Sequence, residues 1–184
     1  MRAFLAIELD DYIKNNIVKL QEEFMDSDCC NMKCVEAENI HLTLKFFGDI
    51  NEKKKNNIIE VVNNTIKSYN KYMMKIVRVG TFGGRKNPHV IWTGVKDKED
   101  KTIQLIKELD NNFGDIGFKK EKNYVPHITI GRLKTLDNEE VFNSLLLEHK
   151  KDYFGKMQVK SLKLKSSELT PDGPIYTTVK EFKI

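Results

Sequence analysis

The chain has 184 residues, 40% hydrophobic and 32% charged, with a formal net charge of +4. That length carries one core, in a single domain or in two small lobes sharing it; the composition is ordinary for a globular protein, and the mild basicity suits a polyanionic ligand without demanding one. No stretch approaches the roughly 20 apolar residues of a helical membrane span, residues 1–10 turn acidic after one short apolar run and do not read as a signal peptide, and Cys29, Cys30 and Cys34 are too few and too clustered for a disulfide framework or a four-ligand zinc site, so the expectation is a cytoplasmic protein with free thiols, no bound metal and no membrane partner.

Taken in order, Arg2–Glu8 reads as a buried strand. Asp10 or Asp11 can cap a helix whose Ile13, Ile17, Leu20 and Phe24 recur every three or four residues on one face. Residues 27–33 are polar and read as a loop, and 35–38 lead into a strand over 40–47 that stops at Gly48. Asn51 starts a second helix carrying Ile58, Ile59, Val62 and Ile66; the basic Lys53, Lys54 and Lys55 are unfavourable near a helix N-terminus and leave its first turn open between helix and loop. Residues 73–79 and 89–95 form a hairpin across a Gly-rich turn at 80–87. A third helix over 97–110 has Ile103, Ile106, Leu109 and Phe113 in register and Gly114 as its stop.

After a Lys-rich loop at 117–123, Pro126 enters a strand over 127–133, Asp137 caps a helix through Leu147, and strands at 156–166 and 174–184 close the chain around the turn Thr170-Pro171-Asp172-Gly173. The order is β-α-β-α-β-β-α-β-α-β-β, with no linker.

Two stretches stand out: His41-Leu42-Thr43-Leu44 and His127-Ile128-Thr129-Ile130. A strand has period two, so each His shares a face with its Thr while the aliphatic residues face a core. The copies lie 86 residues apart, close to half the chain, and each is followed by a helix and a strand pair, which suggests two related halves. One His-x-Thr is a weak signal and more often structural than not; two matching copies, holding two of only four histidines, are far less easily accidental. His89 reads as a surface residue at a strand start, and His149 as a helix C-terminal residue whose charged form the helix dipole favours. Brought together across a groove, one imidazole can activate water while the other protonates a leaving oxygen. The threonine hydroxyls can hold the non-bridging oxygens of a phosphate.

The segment Val35-Glu36-Ala37-Glu38-Asn39-Ile40-His41-Leu42-Thr43-Leu44-Lys45-Phe46-Phe47-Gly48 resembles the first signature of the bacterial 2′-5′ RNA ligase-like proteins of the 2H phosphoesterase superfamily, and Pro126-His127-Ile128-Thr129-Ile130-Gly131-Arg132 resembles the second. The opening strand, Val90–Val95 and Ser167–Tyr176 are similar too, so the resemblance spans nearly the whole chain. It implies an α/β fold of the α+β type: one domain over residues 1–184, made of two intertwined lobes with pseudo-two-fold symmetry, whose mainly antiparallel sheets are flanked by helices around a central cleft.

The activity implied is RNA 2′,3′-cyclic phosphodiesterase, opening a cyclic phosphate to a 2′-phosphate without cofactor or metal. His41 would be the proton donor and His127 the proton acceptor, with Thr43, Thr129 and Arg132 holding the phosphate. The implied partner is RNA with a 2′,3′-cyclic phosphate end, tRNA fragments among the candidates, bound by a monomer.

Strict alternation puts Arg132 on the face opposite His127, so it reaches a phosphate only if the strand bulges or ends near Gly131. The same alternation puts Lys45 and Phe47 on the face of His41, where Lys45 could attract an RNA backbone and Phe47 could stack a base, with core packing the alternative for Phe47. Three functions stay open at this stage: hydrolysis of cyclic phosphate ends; 2′-5′ RNA ligation or hydrolysis of a small cyclic nucleotide; and RNA-end binding without catalysis.

Overall fold

The computed structural model describes every residue except Arg85, inside the expected turn at 80–87, and Asp172, inside the expected closing turn; both lie outside the described residues. The described residues form nine strands and four α-helices: β1 (Arg2–Glu8), α1 (Asp11–Asp26), β2 (Cys30–Cys34), β3 (His41–Asp49), α2 (Glu52–Ile66), β4 (Tyr72–Gly84), β5 (Asn87–Asp97), α3 (Lys101–Asp115), β6 (His127–Leu136), α4 (Glu139–Glu148), β7 (Tyr153–Val159), β8 (Ser161–Thr170) and β9 (Gly173–Lys183). They make two antiparallel sheets, one in the order β3-β1-β8-β9 and one in the order β2-β6-β5-β4-β7. Apart from β2, the sheets match strand for strand: each has a motif strand, then the strand that precedes it through a helix, then two more.

The helices cross between the sheets. α1 leaves β1 of the first sheet and packs on the second, where Asn16 donates to the Phe154 carbonyl of β7 at 2.9 Å. α3 leaves β5 of the second sheet and packs on the first, with the Phe113 ring 4.9 Å from the Phe47 ring of β3. The α1 face is as the spacing predicts, with Ile13, Ile17, Leu20 and Phe24 sealed in one continuous apolar core; in α3 the expected Ile106, Leu109 and Phe113 join it together with Leu105, whereas Ile103 is only half-buried. Asn51 caps α2, accepting from the Lys54 amide at 2.9 Å, and Lys53–Lys55 lie within the helix. α4 is capped by Asn138, not Asp137: the Asn138 side chain accepts from the Val141 amide, and the amides of both residues donate to the Cys29 carbonyl.

Three expectations are corrected. The segment 27–33 is not all loop, because β2 pairs with β6 from Cys30↔Leu136 to Cys34↔Gly131. The run 156–166 is two strands in different sheets, β7 beside β4 and β8 beside β1, changing over at Lys160 without a turn sequence. The Gly-rich turn at 80–87 is mostly hairpin, since β4 and β5 stay paired to Gly84↔Asn87. Among the described residues no helix is long and apolar enough to cross a membrane, the three cysteines are free, and no three His, Cys, Asp or Glu cluster closely enough to share a metal ion.

Candidate active site

His41 and His127 are the first residues of β3 and β6, and each ring is fixed by the chain two residues upstream. The Asn39 carbonyl lies 2.7 Å from His41 Nδ1, and the Val125 carbonyl lies 2.7 Å from His127 Nδ1. A carbonyl only accepts, so Nδ1 carries the hydrogen in both rings and Nε2 is the nitrogen left for chemistry. Aromatic neighbours hold the ring planes. His41 stacks on Phe4 at 4.9 Å and meets Tyr176 edge-on at 5.6 Å; His127 meets Phe82 edge-on at 4.7 Å. Phe4, Tyr176 and Phe82 were not singled out by sequence, because a contact between strands distant in the chain leaves no local signal.

Both motif strands carry a bulge at the same point. Opposite β1, Ala6 pairs with Thr43 and Leu5 with Lys45, so Leu44 is the extra residue; opposite β5, Trp92 pairs with Thr129 and Ile91 with Gly131, so Ile130 is the extra residue. A bulge shifts the alternation by one. It therefore turns Arg132 to the face of His127 and Thr129, as the reach to a phosphate requires, and it turns Phe46 rather than Phe47 to the face of His41. Phe46 is 63% exposed, whereas Phe47 is buried against Phe113 and Phe118. Phe47 is thus a core residue, and the shared face expected for it is corrected.

Lys45 borders the same space but is occupied. Its ammonium donates to Asp110 Oδ1 at 2.6 Å, the Lys119 carbonyl at 2.6 Å and Glu121 Oε1 at 3.0 Å, which uses its three hydrogens.

His41, Thr43, Lys45, His127, Thr129 and Arg132 line one cavity of about 470 Å³, whose wall includes Phe46, Tyr124 and Tyr176. The volume is in the range of small-ligand sites. Thr43 Oγ1 is 2.9 Å from His41 Nε2, donating to the neutral ring. Burial pushes the His41 pKa down to about 4, and the Asn39 carbonyl only partly opposes this. Glu8 faces His41 across the β1–β3 ladder. Burial raises its pKa, but Lys165 and Lys163 outweigh that and hold the carboxyl below its ordinary range. His149 lies away from the cavity, between Asp152 (2.6 Å) and Glu23 (2.9 Å).

The AKAP7 2′5′ RNA ligase-like domain profile matches residues 3–184. The RNA 2′,3′-cyclic phosphodiesterase of Methanothermobacter thermautotrophicus is 39% identical over 184 residues, covering 100% of this chain and 99% of that protein. The one from Methanocaldococcus jannaschii is 39% identical over 182 residues, covering 99% and 100%. Among solved structures, TT0787 of Thermus thermophilus superposes with a TM-score of 0.82 at 22% identity, covering 100% and 97% of the two chains, and apo LigT of E. coli with 0.76 at 22%, covering 99% and 96%. The likenesses to those two speak to the fold.

Proposed function

This chain belongs to the 2′5′ RNA ligase-like family, and from that premise we propose that it is an RNA 2′,3′-cyclic phosphodiesterase working by metal-independent general acid–base catalysis. The observation that carries the reading is the pair of imidazoles, one from each sheet, lining one shared cavity with Nδ1 pinned to a backbone carbonyl, so that Nε2 is the nitrogen for chemistry; at His41 that nitrogen accepts from the Thr43 hydroxyl, which turns to the phosphate when the ring is charged. A terminal cyclic phosphate sits between them. Thr43 and Thr129 donate to its non-bridging oxygens, and Arg132 pairs with the same charge through its planar fork. His127 Nε2 takes a proton from water as the water oxygen bonds to phosphorus. The bond to the 3′ oxygen breaks, and His41 Nε2 gives that oxygen its proton, leaving a 2′-phosphate and a 3′-hydroxyl.

Free His41 is neutral near pH 7 because it is buried. The phosphodiester anion placed against Nε2 favours the imidazolium, so substrate binding itself charges the donor. RNA carrying a cyclic phosphate end is the partner, taken up by a monomer whose two lobes form one domain over residues 1–184.

The test is turnover of an oligonucleotide with a 2′,3′-cyclic phosphate end in excess chelator, for wild type, His41→Ala and His127→Ala. Wild type should stay active, and each variant should fall by roughly 10²–10⁴-fold, the usual contribution of one acid or base. Loss of wild-type activity to the chelator, or a fully active variant, would sink the reading.

A further inference from the structure

α1 and α3 repeat one register, 89 residues apart: Ile17 and Ile106, Leu20 and Leu109, Phe24 and Phe113 hold equivalent positions. Between the last two of these, at equivalent positions, each helix carries a buried polar residue, Gln21 at 5% exposure and Asp110 at 2%. A buried polar side chain is costly unless partnered, and the partners fall in matching places.

Gln21 Nε2 donates to the Val35 carbonyl at 2.8 Å and to the Ile130 carbonyl at 2.7 Å. Val35 lies six residues before His41, and Ile130 is the bulge residue of the His127 strand. Asp110 Oδ2 accepts from the Glu121 amide at 2.8 Å and the Tyr124 hydroxyl at 2.7 Å, and its Oδ1 accepts from Lys45 at 2.6 Å. Glu121 lies six residues before His127, and Lys45 follows the bulge of the His41 strand. Each helix thus ties the lead-in of one histidine to the bulge region of the other. The lead-ins also supply the Asn39 and Val125 carbonyls that orient the rings.

We propose that Gln21 and the Lys45–Asp110 pair are positioning residues: two crossed braces that fix the His41 and His127 strands relative to one another, at the separation where both Nε2 atoms reach one phosphorus. The proposal rests on the phosphodiesterase reading above. It also gives Lys45 a different task from RNA contact. At the position matching Lys45 the other motif has Gly131, against which Met32 of β2 packs, so β2 fills on one side the place that the braced loop 119–124 fills on the other.

The experiment compares Gln21→Leu, Lys45→Met and Lys45→Arg with wild type, reading kcat and KM on the cyclic-phosphate oligonucleotide and the ring ¹⁵N spectra of His41 and His127. Misplacing a catalytic group by about 1 Å costs up to roughly 10²-fold. Gln21→Leu and Lys45→Met should each lower kcat by about 10–100-fold with KM nearly unchanged, and Lys45→Arg should recover part of the loss. Each brace variant should move the ring signals of both histidines, because each brace joins one motif strand to the segment that leads into the other histidine.

Unchanged kcat in a folded variant, a loss confined to KM, or a disturbance confined to one ring would overturn the proposal. If Lys45→Met does not fold, the double variant Lys45→Met with Asp110→Asn removes both charges and is judged by the same criteria, beside Gln21→Leu. A wild type without turnover would sink the phosphodiesterase reading instead, and the braces would then stand or fall on the ring spectra.

Discussion

Leu44 and Ile130 are one device used twice: each is the extra residue of a bulge three positions after its histidine, and each re-aims the side chain two positions further on. On one strand that side chain is Phe46, on the other Arg132, and both line the cavity. The two halves thus share a backbone feature and use it to present different chemistry, an aromatic face on one side and a guanidinium on the other.

The contrast between Phe46 and its neighbour is directly testable. A base stacked on an aromatic ring is worth about 1–3 kcal/mol. Phe46→Ala should therefore raise KM for a cyclic-phosphate oligonucleotide by roughly 5–150-fold while the melting temperature changes little. Phe47→Ala removes a ring packed on Phe113 and Phe118 and should cost about 3–5 kcal/mol of stability. Kinetics and urea denaturation on the two variants check the pair, and the opposite pattern would show that the strand alternates without the bulge.

Arg132 reaches the cavity only through the bulge at Ile130. A hydrogen bond to a charged group contributes about 1.5–3 kcal/mol, so Arg132→Ala should lower kcat/KM by roughly 10–150-fold. Arg132→Lys keeps the charge and loses the two-pronged geometry, and should recover only part of that. Steady-state kinetics at low and moderate salt decide it. Full recovery by lysine would reduce the role of Arg132 to a general positive charge.

Much of this was legible in the sequence, and what was not has a physical cause. Helical spacing marked the buried faces of α1 and α3, and the two His-x-Thr copies marked the strands that meet in the cavity. The bulge at Ile130 was legible only as the condition for Arg132 to reach a phosphate, and the one at Leu44 was not, because an extra residue exists only relative to a partner strand; that unseen shift placed Phe47, rather than Phe46, beside His41. β2 was hidden by polarity: Cys30 and Met32 are buried in alternation with exposed Asn31, but five residues with a lysine and an asparagine look like a loop. The crossing of α1 and α3 between the sheets depends on contacts far apart in the chain, Gln21 with Ile130 for α1 and Lys45 with Asp110 for α3, and no local pattern announces it.

Gly131 allows a close approach that any side chain would obstruct. A Cβ there would stand 2.1 Å from Met32 Sδ and 2.6 Å from its Cγ. Met32 is only 4% exposed, so its flexible chain has little room to retreat. Gly131→Ala should cost about 1–3 kcal/mol by overpacking, and Met32→Ala in that background should cost less than it does alone. Urea denaturation of the two single variants and the double closes the cycle. Strict additivity would mean that β2 does not bear on β6 at this point.

His149 and His41 respond to pH in opposite directions. Burial works against a charged His149, but Asp152 and Glu23 outweigh it and raise its pKa above the ordinary value. A raised pKa means the folded state binds the proton more tightly. The stabilisation is complete below the unfolded value of about 6.5 and is lost as pH rises through the folded value. His149→Gln should flatten the stability profile above about pH 6.5 and leave turnover unchanged. An unchanged slope there would separate the ring from its two carboxylates.

His41 carries the reverse sign, and it ties stability to the reaction. Its folded pKa of about 4 lies below the unfolded value of about 6.5, so between the two the unfolded chain binds more protons. Its contribution is fully present above pH 6.5 and drains away as pH falls toward 4, by about 3 kcal/mol in all. Inorganic phosphate in the cavity should oppose that loss, because an anion beside Nε2 favours the charged ring. NMR titration of the His41 ring should give a midpoint near 4 in the free protein, and a higher one with phosphate bound. Thr43→Val, which removes the hydroxyl at 2.9 Å, should leave the free ring close to where it was and weaken the phosphate-dependent rise. A ring whose midpoint ignores phosphate at saturating concentration could not be charged by its substrate, and His41 would then lose the role of proton donor.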